Sequence, residues 1–111
     1  MLAASLYPLM LSLLADGPKY GYQIIQRAKA LSGDDIKLSN SKLYPLLHRL
    51  ENEGLLESAW KPSEAGPDRK YYQITTKGCR SLETEIQAWR SLNTIFDQLW
   101  GPQVSVLTSS R

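Results

Sequence analysis

Cysteine and histidine are nearly missing from this chain of 111 residues, and their scarcity excludes several kinds of protein. The one cysteine, Cys79, cannot form an internal disulfide, so nothing in the sequence points to an oxidising compartment. With one histidine, the chain offers no cluster of metal ligands at the usual spacing. It also lacks a glycine-rich phosphate loop and a nucleophile elbow. We therefore expect no enzyme, no metal site and no cofactor.

Long hydrophobic runs are also scarce. The N-terminal stretch MLAASLYPLMLSLLADG is shorter than the roughly 20 apolar residues that span a bilayer, and it lacks the positive start and the cleavage site of a signal peptide. Its apolar residues instead follow the spacing of a core helix: Leu6, Leu9, Met10, Leu13 and Leu14. A cytoplasmic protein is the favoured interpretation, with a signal peptide as the minor alternative.

The charged residues are unevenly distributed. The formal net charge is only +2, which neither implies nor excludes a nucleic-acid partner. Residues 19–80, however, hold 11 Lys and Arg against 7 Asp and Glu, whereas residues 81–111 hold 2 against 3. The basic excess therefore lies in the first three quarters of the chain, and a dimer would double it.

Two short helices are predicted at the start of the chain. The first runs from about Leu6 to Ala15 and is stopped by Asp16-Gly17-Pro18. The second follows Gly21 and ends at residues 32–35. The residues expected on its inner face are Ile24, Ile25, Ala28 and Leu31.

A third helix is predicted in the stretch SNSKLYPLLHRLENEGLL, residues 39–56. Its leucines recur at the spacing of one helix face: Leu43, Leu46, Leu47 and Leu50. Ser39 or Ser41 caps its start, and Gly54 ends it, because glycine adopts left-handed geometry at little cost. Pro45 favours Ser41 as the cap, but both alternatives stay open.

The second half predicts a β-hairpin and a long helix. LLESAWK and RKYYQIT are rich in apolar and aromatic residues, and the turn formers PSEAGPD lie between them as a longish tip. Tyr71 and Tyr72 should alternate faces, one of them pointing into the core. Thr75 or Thr76 then caps a helix that runs to about Trp100 and is ended by Gly101-Pro102.

Three short helices followed by a two-stranded ribbon is the order of a winged helix-turn-helix. The predicted fold class is α+β, mainly α, with a long C-terminal dimerisation helix. Residues 1–74 would form the winged helix-turn-helix domain, 75–100 the dimerisation helix and 101–111 a flexible tail.

In this motif the third helix enters the major groove of DNA, and its first residues meet base edges. Asn40, Ser41 and Lys42 occupy that end: Asn can bond adenine, Ser can donate or accept, and Lys can reach guanine or phosphate. Tyr44 and His48 continue the outward face. For each residue taken singly, capping or plain solvation is an equally good interpretation.

A second basic element lies on the hairpin, in GPDRKYY. Lys61 ends the first strand, and Arg69 and Lys70 begin the second, so three cations are expected to converge around the tip and bind phosphate. A charge run of this kind is usually only a solvated hairpin end. The prediction of DNA binding rests on its combination with the third helix.

Together these residues resemble the PadR family of bacterial transcriptional regulators. LLADGPKYGYQII, LSNSKLYPLLHRLENEGLLES and GPDRKYYQITTKG carry the resemblance, in that order, over residues 5–90. It implies that Gly21-Tyr22 opens the second helix with the tyrosine against the DNA backbone, and that Tyr44 makes a similar contact. Many relatives carry a small or proline-glycine pair before Leu-Tyr. This chain has Asn40-Ser41-Lys42 there, which prevents the transfer of any operator sequence.

The last helix carries an apolar stripe that a three-helix core and a wing cannot cover. The stripe consists of Leu82, Ile86, Trp89, Leu92, Phe96 and Leu99, widened by Ile95 and Trp100. A copy related by a two-fold axis would cover it and would space two recognition helices about 34–36 Å apart on a palindrome. The resemblance implies the same homodimer and places the chain in the shorter branch of the family.

Trp89 has two interpretations. In the drug-sensing members of that branch, the matching tryptophan faces its symmetry mate across a pore that takes planar aromatic ligands. The alternative is that Trp89 is ordinary interface packing.

The predicted function is a dimeric, sequence-specific DNA-binding regulator of the PadR type, acting as a repressor that a small aromatic effector can relieve. The predicted DNA-binding residues are Tyr22, Ser39, Asn40, Ser41, Lys42, Tyr44, His48, Lys61, Arg69 and Lys70. The runner-up is a winged helix that binds another protein instead of DNA. Such a module need not keep the basic wing, so the cations favour DNA.

Overall fold

The chain folds into four helices and a three-stranded antiparallel sheet. The computed structural model describes residues 2–33 and 37–109. In chain order the elements are α1 (Leu2–Leu13), β1 (Lys19–Tyr20), α2 (Gly21–Ser32), α3 (Asn40–Asn52), β2 (Leu56–Ser63), β3 (Gly66–Ile74) and α4 (Thr76–Ser109). Three helices followed by a hairpin confirm the predicted winged helix-turn-helix, in which α2 and α3 form the motif and β2–β3 the wing.

The core of the domain follows the predicted helical spacing, with one exception. Leu43, Leu47 and Leu50 of α3 are fully buried, and Ile24 of α2 lies in the same cluster. Leu31, predicted on the inner face of α2, is instead 64% exposed. Spacing fixes the face on which a side chain lies but not how far the neighbouring elements extend, and the last turn of α2 runs past the packed region.

The bounds of α1 and α2 differ in detail from the prediction. α1 begins at Leu2, so Pro8 lies inside the helix, because the leucines and alanines before it are strong helix formers. The regular helix ends at Leu13, and i→i−3 hydrogen bonds continue it as a tighter turn to Ala15. α2 ends at Ser32. The remainder of its predicted stop, Asp34-Asp35, lies outside the described residues.

The N-cap of α3 is Ser39, so the preference for Ser41 is wrong. Pro45 consequently lies in the second turn, where its missing N–H leaves only the carbonyl of Ser41 without its helical donor. The Ser39 hydroxyl does not cap the backbone. Its Oγ lies 2.9 Å from the Oγ of Ser41 in a hydrogen bond between the two hydroxyls.

The end of α3 at Gly54 is confirmed. Gly54 has a φ of 78°, the left-handed region that favours glycine. Its N–H donates to the carbonyl of Glu51 at 3.0 Å, and the N–H of Leu55 donates to the carbonyl of Leu50 at 2.9 Å. This pair of bonds is a Schellman motif, and the burial of Leu50 and Leu55 in the core completes it.

The wing is tighter than predicted. β2 and β3 pair from Leu56 opposite Ile74 as far as Ser63 opposite Gly66, so the turn formers expected in a long tip are mostly strand. A register irregularity between Lys61 and Ser63 accommodates the proline between them, because a bulge does not need its missing N–H.

The alternation of Tyr71 and Tyr72 is confirmed, and the structure settles which one enters the core. Tyr72 is 1% exposed, while Tyr71 is half-buried on the opposite face. Burial raises the pKa of the Tyr72 hydroxyl above its ordinary value.

A third strand, β1, is missing from the sequence prediction. It has only two residues, and its pairing with β3, Lys19 opposite Tyr72 and Tyr20 opposite Tyr71, joins segments far apart in the chain. The strand order is β1-β3-β2, so the segment before α2 is attached directly to the wing.

The last helix extends well past its predicted end. Thr75 is its N-cap, with Oγ1 accepting the N–H of Gly78 at 3.0 Å. α4 then continues through Gly101-Pro102 to Ser109, so the predicted stop is wrong; these two residues lower the helical propensity without ending the helix. Its 34 residues span about 51 Å, close to the 53 Å longest dimension of the molecule.

Within residues 2–33 and 37–109, no helix is long and apolar enough to cross a membrane.

Candidate nucleic-acid interface

The exposed start of α3 forms one wall of the candidate interface. Asn40, Ser41 and Lys42 are all exposed. Asn40 is the first helical residue, so its side chain is not needed as the cap. The positive end of the helix dipole adds an attraction for phosphate to this hydrogen-bonding set.

Tyr44 lies one turn further along α3, against the start of α2. A Cβ built on Gly21 would overlap the Tyr44 hydroxyl and lie 3.1 Å from Cζ, so this position of the tyrosine requires glycine. On its other side, the Tyr44 ring centroid is 6.5 Å from that of His48. Tyr44 remains 38% exposed, so part of its ring faces solvent beside these contacts.

Arg49, on the flank of the same helix, is directed toward α1. Its Nη1 donates a hydrogen bond of 2.8 Å to the hydroxyl of Tyr7, which raises the pKa of Arg49 above its ordinary value. Arg49 therefore ties α3 to α1, and Lys42 is the cation at the exposed start of α3.

The three wing cations do not converge at the tip as predicted. The tip is Glu64-Ala65, whereas Lys61 lies opposite Arg69 and Lys70 lies opposite Trp60. Residues paired across two strands share a face, so Lys61 and Arg69 lie on one face of the wing and Lys70 on the other. The sequence places these cations in strands correctly but does not show the register.

Arg69 contacts Tyr20, which in turn packs against Tyr71, and the sequence does not reveal these contacts. Its guanidinium lies 4.5 Å from the ring centroid of Tyr20, and its Nη1 donates to the Tyr20 hydroxyl at 2.8 Å. Tyr20 packs edge to face against Tyr71, with ring centroids 5.3 Å apart. Lys61 Nζ lies 5.0 Å from the centroid of the Tyr71 ring. No local signal could have paired Tyr20 with Arg69, because the contact depends on β1.

A groove of about 460 Å³ separates α3 from the wing. It is lined by Tyr20, Gly21, Tyr44, His48, Trp60, Asp68, Arg69, Lys70 and Tyr72. Four of the predicted site residues therefore meet in one concave surface. Trp60 is a lining residue that the sequence analysis missed, although strand alternation from Leu56 would have placed it on this face.

Tyr22 lies outside this groove. It is 64% exposed at the second position of α2, beside Gln23 and Gln26 on the outer side of that helix. Lys61 likewise does not line the groove, although Arg69, which shares its face of the wing, does. The predicted residues thus divide into a groove group and a flanking group.

The stripe on α4 is divided between the core and the surface. Leu82 is buried in the core of its own chain, and Ile86 packs against that core. Between Trp89 and Trp100, five large apolar side chains are exposed: Trp89, Leu92, Ile95, Leu99 and Trp100. Phe96 is half-buried, stacked on Trp100 with ring centroids 4.3 Å apart. The uncovered part of the stripe therefore begins at Trp89.

The family follows from the sequence comparison. The model of the transcriptional regulator PadR-like family matches residues 10–84, which is more than half of the chain. The chain belongs to this family. The PadR-like match includes the whole helix-turn-helix, the wing and the first turns of α4.

Solved PadR-like structures are similar along nearly the whole chain. A PadR-like transcription factor from Bacteroides fragilis is 35% identical, with a TM-score of 0.79 over 89% of this chain and 93% of that one. A PadR-like transcriptional regulator from Bacillus cereus is 34% identical, with a TM-score of 0.77 over 89% and 94%. An uncharacterized protein from Lysinibacillus sphaericus is 28% identical over 89 residues, covering 80% of this chain and 82% of the relative. This PadR-like protein is a transcriptional regulator.

Proposed function

We propose that this PadR-like regulator is a cytoplasmic homodimer that binds a palindromic operator sequence-specifically and represses transcription. The observation that carries the proposal is the groove, in which Tyr44 and His48 of α3 lie opposite Arg69 and Lys70 of the wing. A recognition helix and a phosphate-binding arm on two sides of one concave surface suit the shape of a DNA duplex.

The proposed reader of sequence is the start of α3. An α-helix is about 10–12 Å across and the major groove about 12 Å wide, so the helix can enter it. Asn40, Ser41 and Lys42 would then reach base edges, and Ser39 would lie at the backbone. Tyr44 and His48, one turn later, would contact the strand that borders the groove.

The proposed contribution of the wing is sequence-independent. Arg69 and Lys70 line the groove, and Lys61 lies on the outer face of the same hairpin. Each phosphate that a cation neutralises releases counterions, so this part of the affinity falls as salt rises. With Lys42, there are four such cations in each protomer, and a dimer doubles that number.

The proposed dimer forms through the exposed part of the α4 stripe. A monomer would leave Trp89, Leu92, Ile95, Leu99 and Trp100 in water, each at least 41% exposed. A two-fold copy of the same helix covers such a stripe with itself. It also duplicates the recognition helix, which is why we expect a palindromic site.

A titration against the DNA upstream of its own gene tests this function. We expect binding at about 50 mM salt and a weakening of roughly 10³–10⁵-fold at 200 mM, the range for six to ten phosphate contacts. Fluorescence anisotropy at the two salt concentrations measures it, with a shuffled duplex of equal composition as the control for specificity. Absence of binding at both salt concentrations would contradict DNA recognition and favour a winged helix that binds protein.

We also propose that a planar aromatic effector binds between the two copies of Trp89 and relieves repression. The exposure of Trp89, 45%, on the uncovered part of α4 supports a site there. Addition of such ligands is expected to quench tryptophan fluorescence in the wild type and in Trp60→Phe but not in Trp89→Phe. Unchanged wild-type fluorescence across a panel of planar aromatics would argue for ordinary packing.

A further inference from the structure

Trp60 is the most exposed large hydrophobic side chain in the described part of the chain, at 66%. It lies in β2, on the hairpin that forms the wing. Leaving an indole in water is unfavourable, since burial of apolar surface is worth about 25 cal/mol per Å². An aromatic group this exposed on a strand is therefore a candidate contact for a partner surface.

The strand register fixes the direction of Trp60. Leu56 and Trp60 lie on the same face of β2, and Leu56 is buried in the core. Across the sheet, Lys70 lies opposite Trp60 and shares its face with the buried Tyr72. Trp60 therefore lies on the face of the wing that packs against the core. It lies past the buried part of that face, where the groove begins.

The groove places Trp60 across from the recognition helix. Tyr44 and His48 of α3 form one wall, while Trp60 and Lys70 form the wing wall. A duplex that takes α3 into its major groove has its sugar-phosphate backbone along this space. The side chains of the wing wall are therefore directed at the backbone and not at base edges.

The chemistry of the wing wall suits deoxyribose and phosphate together. An indole has an apolar face for the sugar and an N–H that can donate to a phosphate oxygen. Lys70, whose Nζ lies 5.4 Å from the Tyr72 ring, supplies a cation beside it. Asp68 is the one carboxylate among the described lining residues, and Arg69 and Lys70 outnumber it, so the charge of the lining favours phosphate.

We propose that Trp60 is a DNA-contacting residue that packs its indole on the sugar-phosphate backbone between α3 and the wing. The inference rests on the proposed DNA binding and adds an affinity contact that is largely uncharged. This contact differs from that of Lys70 in one measurable respect. A cation contributes to the salt dependence of binding, whereas an apolar contact does not.

The test compares the salt slopes of matched variants in the full-length protein, bound to its upstream DNA. Trp60→Ala is expected to weaken binding about 10-fold at every salt concentration, with the slope of log K against log salt unchanged. Lys70→Ala should reduce the magnitude of that slope by about 0.9 for each protomer. Leu31→Ala removes an equally exposed apolar side chain outside the groove and should bind as the wild type does. Trp60→Thr, which replaces tryptophan with another residue of high strand propensity, guards against a loss caused by misfolding.

The outcomes separate this inference from the proposed function. Weaker binding by both Trp60 variants with the wild-type slope supports the contact. If Trp60→Ala binds as tightly as the wild type while Lys70→Ala loses slope, the Trp60 contact is refuted and DNA binding stands. A loss of slope in Trp60→Ala would instead make Trp60 a support for Lys70, which also overturns the contact. If the wild type binds no DNA at either salt concentration, both proposals are wrong.

Discussion

Glutamates at Leu92 and Leu99 are expected to convert the protein from a dimer to a monomer. Both leucines lie on the uncovered part of α4, 41% and 61% exposed, so neither substitution removes core packing. In the proposed dimer each carboxylate would be buried against an apolar surface, at an effective penalty of about several kcal/mol per ion. Sedimentation velocity should show the mass falling from twice 12.5 kDa to 12.5 kDa.

The same double variant should lose operator affinity by roughly 100-fold or more, because linking two binding modules raises their joint affinity by about 10²–10⁴. The matched control is Gln87→Glu with Gln98→Glu, which adds the same charge to exposed positions on the opposite side of α4. We expect that control to remain dimeric. A monomeric wild type, or a Leu92→Glu/Leu99→Glu variant that stays dimeric, would contradict dimerisation through this stripe.

Local patterns predict most of the fold because most of its elements depend on local physics. The leucine spacing of α3, the glycine that ends it at Gly54 and the threonine that caps α4 at Thr75 each act within a few residues. The two-residue strand β1 has no such local signature. It exists because Lys19 and Tyr20 pair with residues 71 and 72, more than fifty positions away.

The errors at helix ends have a different cause. Gly101-Pro102 disfavours a helix by a few kcal/mol, yet α4 continues through it, since propensity is a weak prior in an element already formed. Leu31 has the spacing of a core-facing residue, but no neighbouring element among the residues that the structure describes covers it. Both cases concern how far an element or its neighbours extend, which periodicity does not encode.

For the candidate interface, the sequence predicts which residues are exposed but not how they are grouped. Asn40, Ser41 and Lys42 are at the helix start as expected. The opposite faces of Lys61 and Lys70, and the place of Trp60 in the groove, follow from the register of the wing. That register depends on the two-residue tip, and the proline-containing turn cluster concealed it.

The close contact between Tyr44 and Gly21 predicts a second large effect, on the free energy of unfolding. Gly21→Ala should lower the free energy of unfolding by about 1–3 kcal/mol, because the new methyl group overlaps the Tyr44 hydroxyl, so that either the Tyr44 ring gives up this contact or the start of α2 moves away from α3. This loss outweighs the roughly 0.5–1 kcal/mol that alanine gains over glycine in a helix. Chemical denaturation measures it. The matched control, Gly101→Ala, should be neutral or stabilising, since no atom lies within 4 Å of its added Cβ.

A double-mutant cycle shows whether the Tyr44 hydroxyl is the cause. Tyr44→Phe removes the overlapping atom, so we expect it to recover part of the stability lost in Gly21→Ala, with an interaction of at least about 0.5 kcal/mol. Recovery should be incomplete, because the ring carbon still lies 3.1 Å from the added methyl. DNA affinity should fall in Gly21→Ala as well, since Tyr44, a proposed DNA contact, is displaced by the new methyl group. Equal losses from Gly21→Ala with and without the hydroxyl would show that the glycine serves the backbone of α2 and not the position of Tyr44.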